Sequence, residues 1–243
     1  MIAEILLSFS HETVLVPLVV LGYIWISQRI FFNAICLILI NMLISFVLKN
    51  IFQIPLNPNL EKQGYAFPSG HMQSCIVVYG YLMKSTPSVV LKILIVFLLI
   101  GVGQSLVYMG YHNYFDVLGA IFFGSILVLL SKYLSPKTTF VTATLLLLYI
   151  LLLYQMLEHL WLAYYGLIGI ISSYTLFAEK TTKINLKQKV LATALCFGAI
   201  FGIKTFFGIF LSHLPPFISQ IQWILIGFVI PYSTFISLKT VKN

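Results

Sequence analysis

Two short stretches, Pro68-Ser69-Gly70-His71 and His112-Asn113-Tyr114-Phe115-Asp116, hold the side chains best suited to chemistry in this chain. A Ser-Gly-His turn that opens a helix aims backbone N–H groups and an imidazole at an anion. A histidine and an aspartate four residues apart share one helical face, so the carboxylate can orient the imidazole and stabilise its positive charge. Two histidines, one backed by a carboxylate, are the parts needed to pass a phosphoryl group through a covalent histidine intermediate. Such groups are scarce here: the chain has five histidines and six acidic residues, so each polar cluster stands out.

The elements that must position these groups are apolar. Of 243 residues, 60% are hydrophobic and only 8% charged, against roughly 25% charged in a soluble domain. A surface this apolar is not wettable, and the apolar runs are continuous rather than alternating. The expected fold is therefore an all-α polytopic transmembrane bundle and not a β-barrel. With about 20 apolar residues needed per span, the candidates are about 13–27, 30–49, 69–84, 90–110, 113–131, 138–157, 160–178, 190–211 and 217–237. The short first span leaves the count at eight or nine. Residues 2–10 suit an interfacial helix. The chain reads as one integral membrane domain, 1–243, without internal repeats or a domain linker.

The formal net charge of +8 does not indicate nucleic acid, because the positive charges fall between apolar segments. With the N-terminus on the non-cytoplasmic side, eleven of the fourteen basic residues lie in cytoplasmic loops and tail. That side holds Arg29, Lys84, Lys92, Lys132, Lys137, Lys180, Lys183, Lys187, Lys189, Lys239 and Lys242. Lys49 and Lys62 fall on the other side, and Lys204 falls within a span. Both histidine motifs and the polar loop 50–68 are then non-cytoplasmic, and the C-terminus cytoplasmic. Cys36, Cys75 and Cys196 lie in apolar segments and read as small buried hydrophobes. Glu4 and Glu12, with no basic n-region, argue against a cleavable signal peptide.

These motifs resemble the type 2 phosphatidic acid phosphatase superfamily, which includes glucose-6-phosphatases and vanadium haloperoxidases. Its pattern runs Lys-x6-Arg-Pro, Pro-Ser-Gly-His, Ser-Arg-x5-His-x3-Asp. Here Lys49 precedes Leu56-Asn57-Pro58, Pro68-Ser69-Gly70-His71 is intact, and Ser105-Leu106 leads through five residues to His112 and then Asp116. The resemblance covers a core of about 30–131, with further transmembrane helices over about 138–237. It implies that His112 attacks phosphorus, that Asp116 holds its tautomer and stabilises its charge, and that His71 protonates the leaving oxygen and then activates water. Lys49, Ser69 and Gly70 would bind the phosphate oxygens. No metal or other cofactor is implied, and no carboxylate cluster suits Mg²⁺.

The departures lie in the arginines. One motif position is Leu56, or Asn57 with a one-residue insertion; the other is Leu106; Arg29 is the only arginine. An arginine fork meets two phosphate oxygens at once, so another cation must serve. Lys62 and Lys204 are candidates beside Lys49. Ser105 divides between helix packing and a site contact. Tyr65, Tyr108 and Tyr111 are interfacial anchors or pocket walls, Glu158-His159 a solvated turn, and His11 and His213 interfacial. The expected activity is hydrolysis or transfer of a phosphate monoester or diphosphate, on a lipid or another phosphorylated substrate, at the bilayer's outer face. The alternatives are a non-catalytic lipid-binding or transport protein on the same scaffold, and an enzyme for a less charged headgroup.

Overall fold

The computed structural model describes residues 2–58, 64–155, 157–177 and 184–240. Eleven α-helices occur among them: α1 (Ile2–Ser8), α2 (Glu12–Trp25), α3 (Gln28–Phe52), α4 (Gly70–Ser85), α5 (Val89–Tyr108), α6 (Tyr114–Leu130), α7 (Pro136–Leu153), α8 (Glu158–Phe177), α9 (Leu186–Phe210), α10 (Pro216–Ser219) and α11 (Gln222–Thr240). The all-α class is as expected. The expected count of eight or nine spans meets the structure at eight. Among the described residues, seven helical segments are long and apolar enough to cross a bilayer, or eight if α1 and α2, bent by 49°, form one broken span. The expected span 69–84 is α4, only 16 residues long. At 1.5 Å per residue it reaches about 24 Å, short of the ~30 Å hydrocarbon core.

The helices group into two compact units. The first comprises residues 1–19 and 33–134, the second residues 20–32 and 135–243. In the first unit α4 is buried on all sides, which is why its apolar residues are not confined to one stripe. Against α6, a Cβ at Gly124 would sit 2.8 Å from Ile76, and one at Gly80 would sit 3.6 Å from Val128. Against α3, Asn41 donates to Ser74 Oγ at 3.1 Å and Asn33 to Tyr81 Oη at 3.1 Å. Interhelical polar contacts of this kind hold helices together where burial in lipid gives little drive. At its C-terminal end Lys84 Nζ donates to Val128 O at 2.9 Å and Ser131 Oγ at 3.1 Å. Cys36, Cys75 and Cys196 are free and buried.

In the second unit α8 and α11 meet backbone to backbone. A Cβ on Gly169 would collide with Ile224 O, and one on Gly227 would lie 2.5 Å from Gly166 O. Rotamer changes cannot relieve such contacts. Gly169→Val is therefore expected to destabilise this unit by about 3 kcal/mol or more, read as a lower unfolding temperature in detergent. Gly198→Ala, where a Cβ meets nothing within 4 Å, should change stability by less than about 1 kcal/mol. Equal melting of the two variants would contradict the close crossing. Lys204 belongs to this unit, exposed, with its Nζ 5.5 Å from the Trp223 ring centroid.

Candidate phosphate site

His112 sits where one helix stops and the next starts, and both caps are built from the local sequence. Gly110, at φ +72°, ends α5 in the left-handed conformation that favours glycine. Gly110 N–H then donates to Val107 O at 3.0 Å, and Tyr111 N–H to Leu106 O at 3.1 Å. His112 N–H also reaches Leu106 O, at 3.3 Å. At the next residue, Asn113 caps α6: its side chain accepts from Asp116 N–H at 2.9 Å, while Asp116 Oδ2 accepts from Asn113 N–H at 3.1 Å. This reciprocal box fixes the carboxylate beside the imidazole.

The Asp116 Oδ2 atom lies 3.2 Å from His112 Nδ1, with the two side chains 3% and 7% exposed. The carboxylate accepts a hydrogen bond from Nδ1–H, which leaves Nε2 with the lone pair that a nucleophile needs. Burial lowers the His112 pKa; Asp116 pulls it back up, and the positive charge of Lys49 lowers it further. The net direction is down, so the imidazole stays neutral below its ordinary value of about 6.5. If His112 is the nucleophile, the acid limb of the kcat/KM profile should fall below that value. An acid limb above 6.5 would mean that another group titrates.

The second motif meets the first through the main chain. Ser69 N–H donates to Asp116 O at 3.1 Å. Ser69 Oγ caps α4 by accepting from Met72 N–H at 3.5 Å. Ser69, expected to bind phosphate through its N–H, thus has that donor engaged and serves as a joint. Gly70 and His71 open α4, and their N–H groups have no carbonyl of their own helix to reach. A Cβ on Gly70 would lie 3.5 Å from Ser45 Oγ and 4.0 Å from Lys49 Cε, so the first turn of α4 rests against the end of α3. Lys49 Nζ donates to Tyr65 O at 2.9 Å. His71 is exposed, its ring centroid 5.7 Å from that of His11.

A cavity of about 400 Å³ opens beside the His112–Asp116 pair. Its walls are His112, Asn113, Asp116, Gly110 and Tyr111 on one side, and Pro55–Pro58 with Ala66 on the other. The loop side is pinned by Leu56 N–H to Gly64 O at 3.2 Å and Ala66 N–H to Ile54 O at 2.7 Å. The two motif positions without arginine separate here. Leu56 and Asn57 line the cavity, whereas Leu106 is 1% exposed in the core and contributes its carbonyl to the His112 turn. Ser105 is buried, and its hydroxyl donates to Gly101 O at 2.7 Å within its own helix. Of the tyrosines, Tyr111 lines the cavity and Tyr108 is 83% exposed. Lys62 lies outside the described residues. Gly110 and the capping pair were not singled out from sequence, although Asn-x-x-Asp is a legible helix-start signal.

The model of the PAP2 superfamily matches residues 31–140. No curated protein and no solved structure matches the chain. The matched stretch contains Lys49, the Ser-Gly-His turn and the His112–Asp116 pair, and it lies almost entirely within the first unit. Residues 31–140 of this chain, an all-α protein with several membrane-length apolar helices, are thus similar to the PAP2 superfamily.

Proposed function

We propose that this chain is a membrane-embedded phosphatase or phosphotransferase acting on a phosphate monoester or diphosphate carried by a lipid. The observation that carries the reading is the buried His112–Asp116 pair on the wall of the cavity. His112 Nε2 attacks phosphorus as the bond to the leaving oxygen breaks, and His71 gives that oxygen a proton. His71 then takes a proton from water, whose oxygen attacks the phosphohistidine and returns His112 to its neutral form. Asp116 stabilises the cationic imidazole, and Lys49 with the first-turn N–H groups of α4 stabilises the equatorial oxygens. Phosphate release from phosphatidic acid and other lipid phosphates, by purified wild-type chain and His112→Ala, tests this. The apolar Leu56 on the cavity wall favours a second reading, a lipid-binding protein without turnover; retained lipid binding with no phosphate release would select it.

The charge distribution supports a non-cytoplasmic site. Cysteine introduced at Asn59 should label from outside the membrane, and cysteine introduced at Thr182 only after permeabilisation. The reverse pattern would put the site in the cytoplasm.

A further inference from the structure

We propose that His11, at the junction of α1 and α2, is a second imidazole donor to the phosphate, which is held between His11 and His71. The inference rests on the phosphate reading of the site. His11 lies outside the matched residues 31–140, in a segment that belongs to the same compact unit as His71. Its placement is built. Tyr79 Oη donates to Phe9 O at 3.0 Å, anchoring the junction to the middle of α4. Ser10 is buried and its hydroxyl donates to Leu7 O at 2.7 Å. A Cβ at Gly101 would lie 3.1 Å from Leu6, so α1 rests on α5. These contacts place an exposed imidazole beside that of His71.

The spacing suits a shared ligand. The ring centroids lie 5.7 Å apart and the planes are inclined by 58°, tilted rather than stacked. A ring nitrogen is about 1.1 Å from its centroid, and a charge-assisted N–H···O contact spans about 2.8 Å. Each centroid then stands about 4 Å from an oxygen held by both rings, with an angle of about 90° at that oxygen. One phosphate oxygen can therefore accept from both, or two oxygens of one phosphate can accept from one ring each. Chemistry supplies the need: this chain has no arginine in either motif position, and a protonated imidazole is a cationic donor.

Inorganic phosphate is the probe. Equilibrium dialysis of labelled phosphate against the purified full chain in detergent gives a Kd that does not depend on turnover. His11→Ala should raise it about tenfold or more, the worth of a charge-assisted donor. His11→Phe, which keeps a ring but has no donor, should behave as His11→Ala does. His11→Arg should return the Kd to within about threefold of wild type, since a guanidinium restores the cation. An unchanged Kd in His11→Ala, a wild-type Kd in His11→Phe, or no phosphate binding by the wild-type chain would overturn the proposal. Weakened binding in His11→Ala beside a wild-type chain that shows no lipid phosphate turnover would sustain it and count against the catalytic reading alone.

Discussion

Replacing His112 by alanine is expected to lower turnover by at least about 10⁴-fold, since in the proposed mechanism it removes the atom that bonds to phosphorus. The fold should survive. The contacts that set the turn, Gly110 N–H to Val107 O and Tyr111 N–H to Leu106 O, are main chain to main chain, and the Asn113–Asp116 box does not use the imidazole. Asp116→Asn should cost less, about 10²–10³-fold. The amide oxygen can still accept from Asn113 N–H, so α6 keeps its cap while the histidine loses its counter-charge. A brief incubation with ³²P-labelled lipid phosphate, quenched in base, should trap label on the wild-type chain and none on His112→Ala. Full activity in His112→Ala would end the phosphohistidine mechanism.

Lys49→Met should lower kcat/KM by about 10²-fold or more, the usual cost of losing a charge-stabilising donor. Two contacts place this lysine: its stem lies against the first turn of α4, and its ammonium donates to Tyr65 O at 2.9 Å. Neither contact is with a carboxylate, so two ammonium protons remain for phosphate. An ammonium is a point charge with rotatable donors and grips phosphate less rigidly than a guanidinium fork. The loss should therefore appear in kcat as well as KM, because the charge on the phosphorus oxygens changes most in the transition state. A Lys49→Met chain with wild-type kcat/KM and unaltered melting would remove Lys49 from the site.

The bundle and the order of its helices were legible because a continuous apolar run has few other fates in a chain this poor in charge. The site was legible in its chemistry but not in its joints. The types and spacing of His112 and Asp116 suffice to pair them, since i and i+4 neighbours meet on a helix. The true arrangement differs in detail: His112 precedes α6 rather than lying in it, and the pairing works because Asp116 is drawn back to the helix start by its capping bond. Ser69 shows the limit more plainly. Its place in the Ser-Gly-His turn suggested a phosphate contact through its N–H, and only the three-dimensional meeting of α4 with α6 assigns that N–H to Asp116 O. The short α4 entered the expected span count for a related reason. Hydropathy counts residues, while a helix surrounded by protein need not match the thickness of lipid.

The bond from Ser69 N–H to Asp116 O joins the two histidine motifs without using any side chain. No substitution short of proline at position 69 deletes that donor. The relative register of His71 and His112 is thereby insulated from drift in the residues around them. A wall position such as Leu56 can change character without moving the reacting groups, so the scaffold separates what the site can do from what it will accept. On the proposed function, exchanging cavity-wall residues is thus a route to new substrate preference that leaves the His112–Asp116 geometry intact.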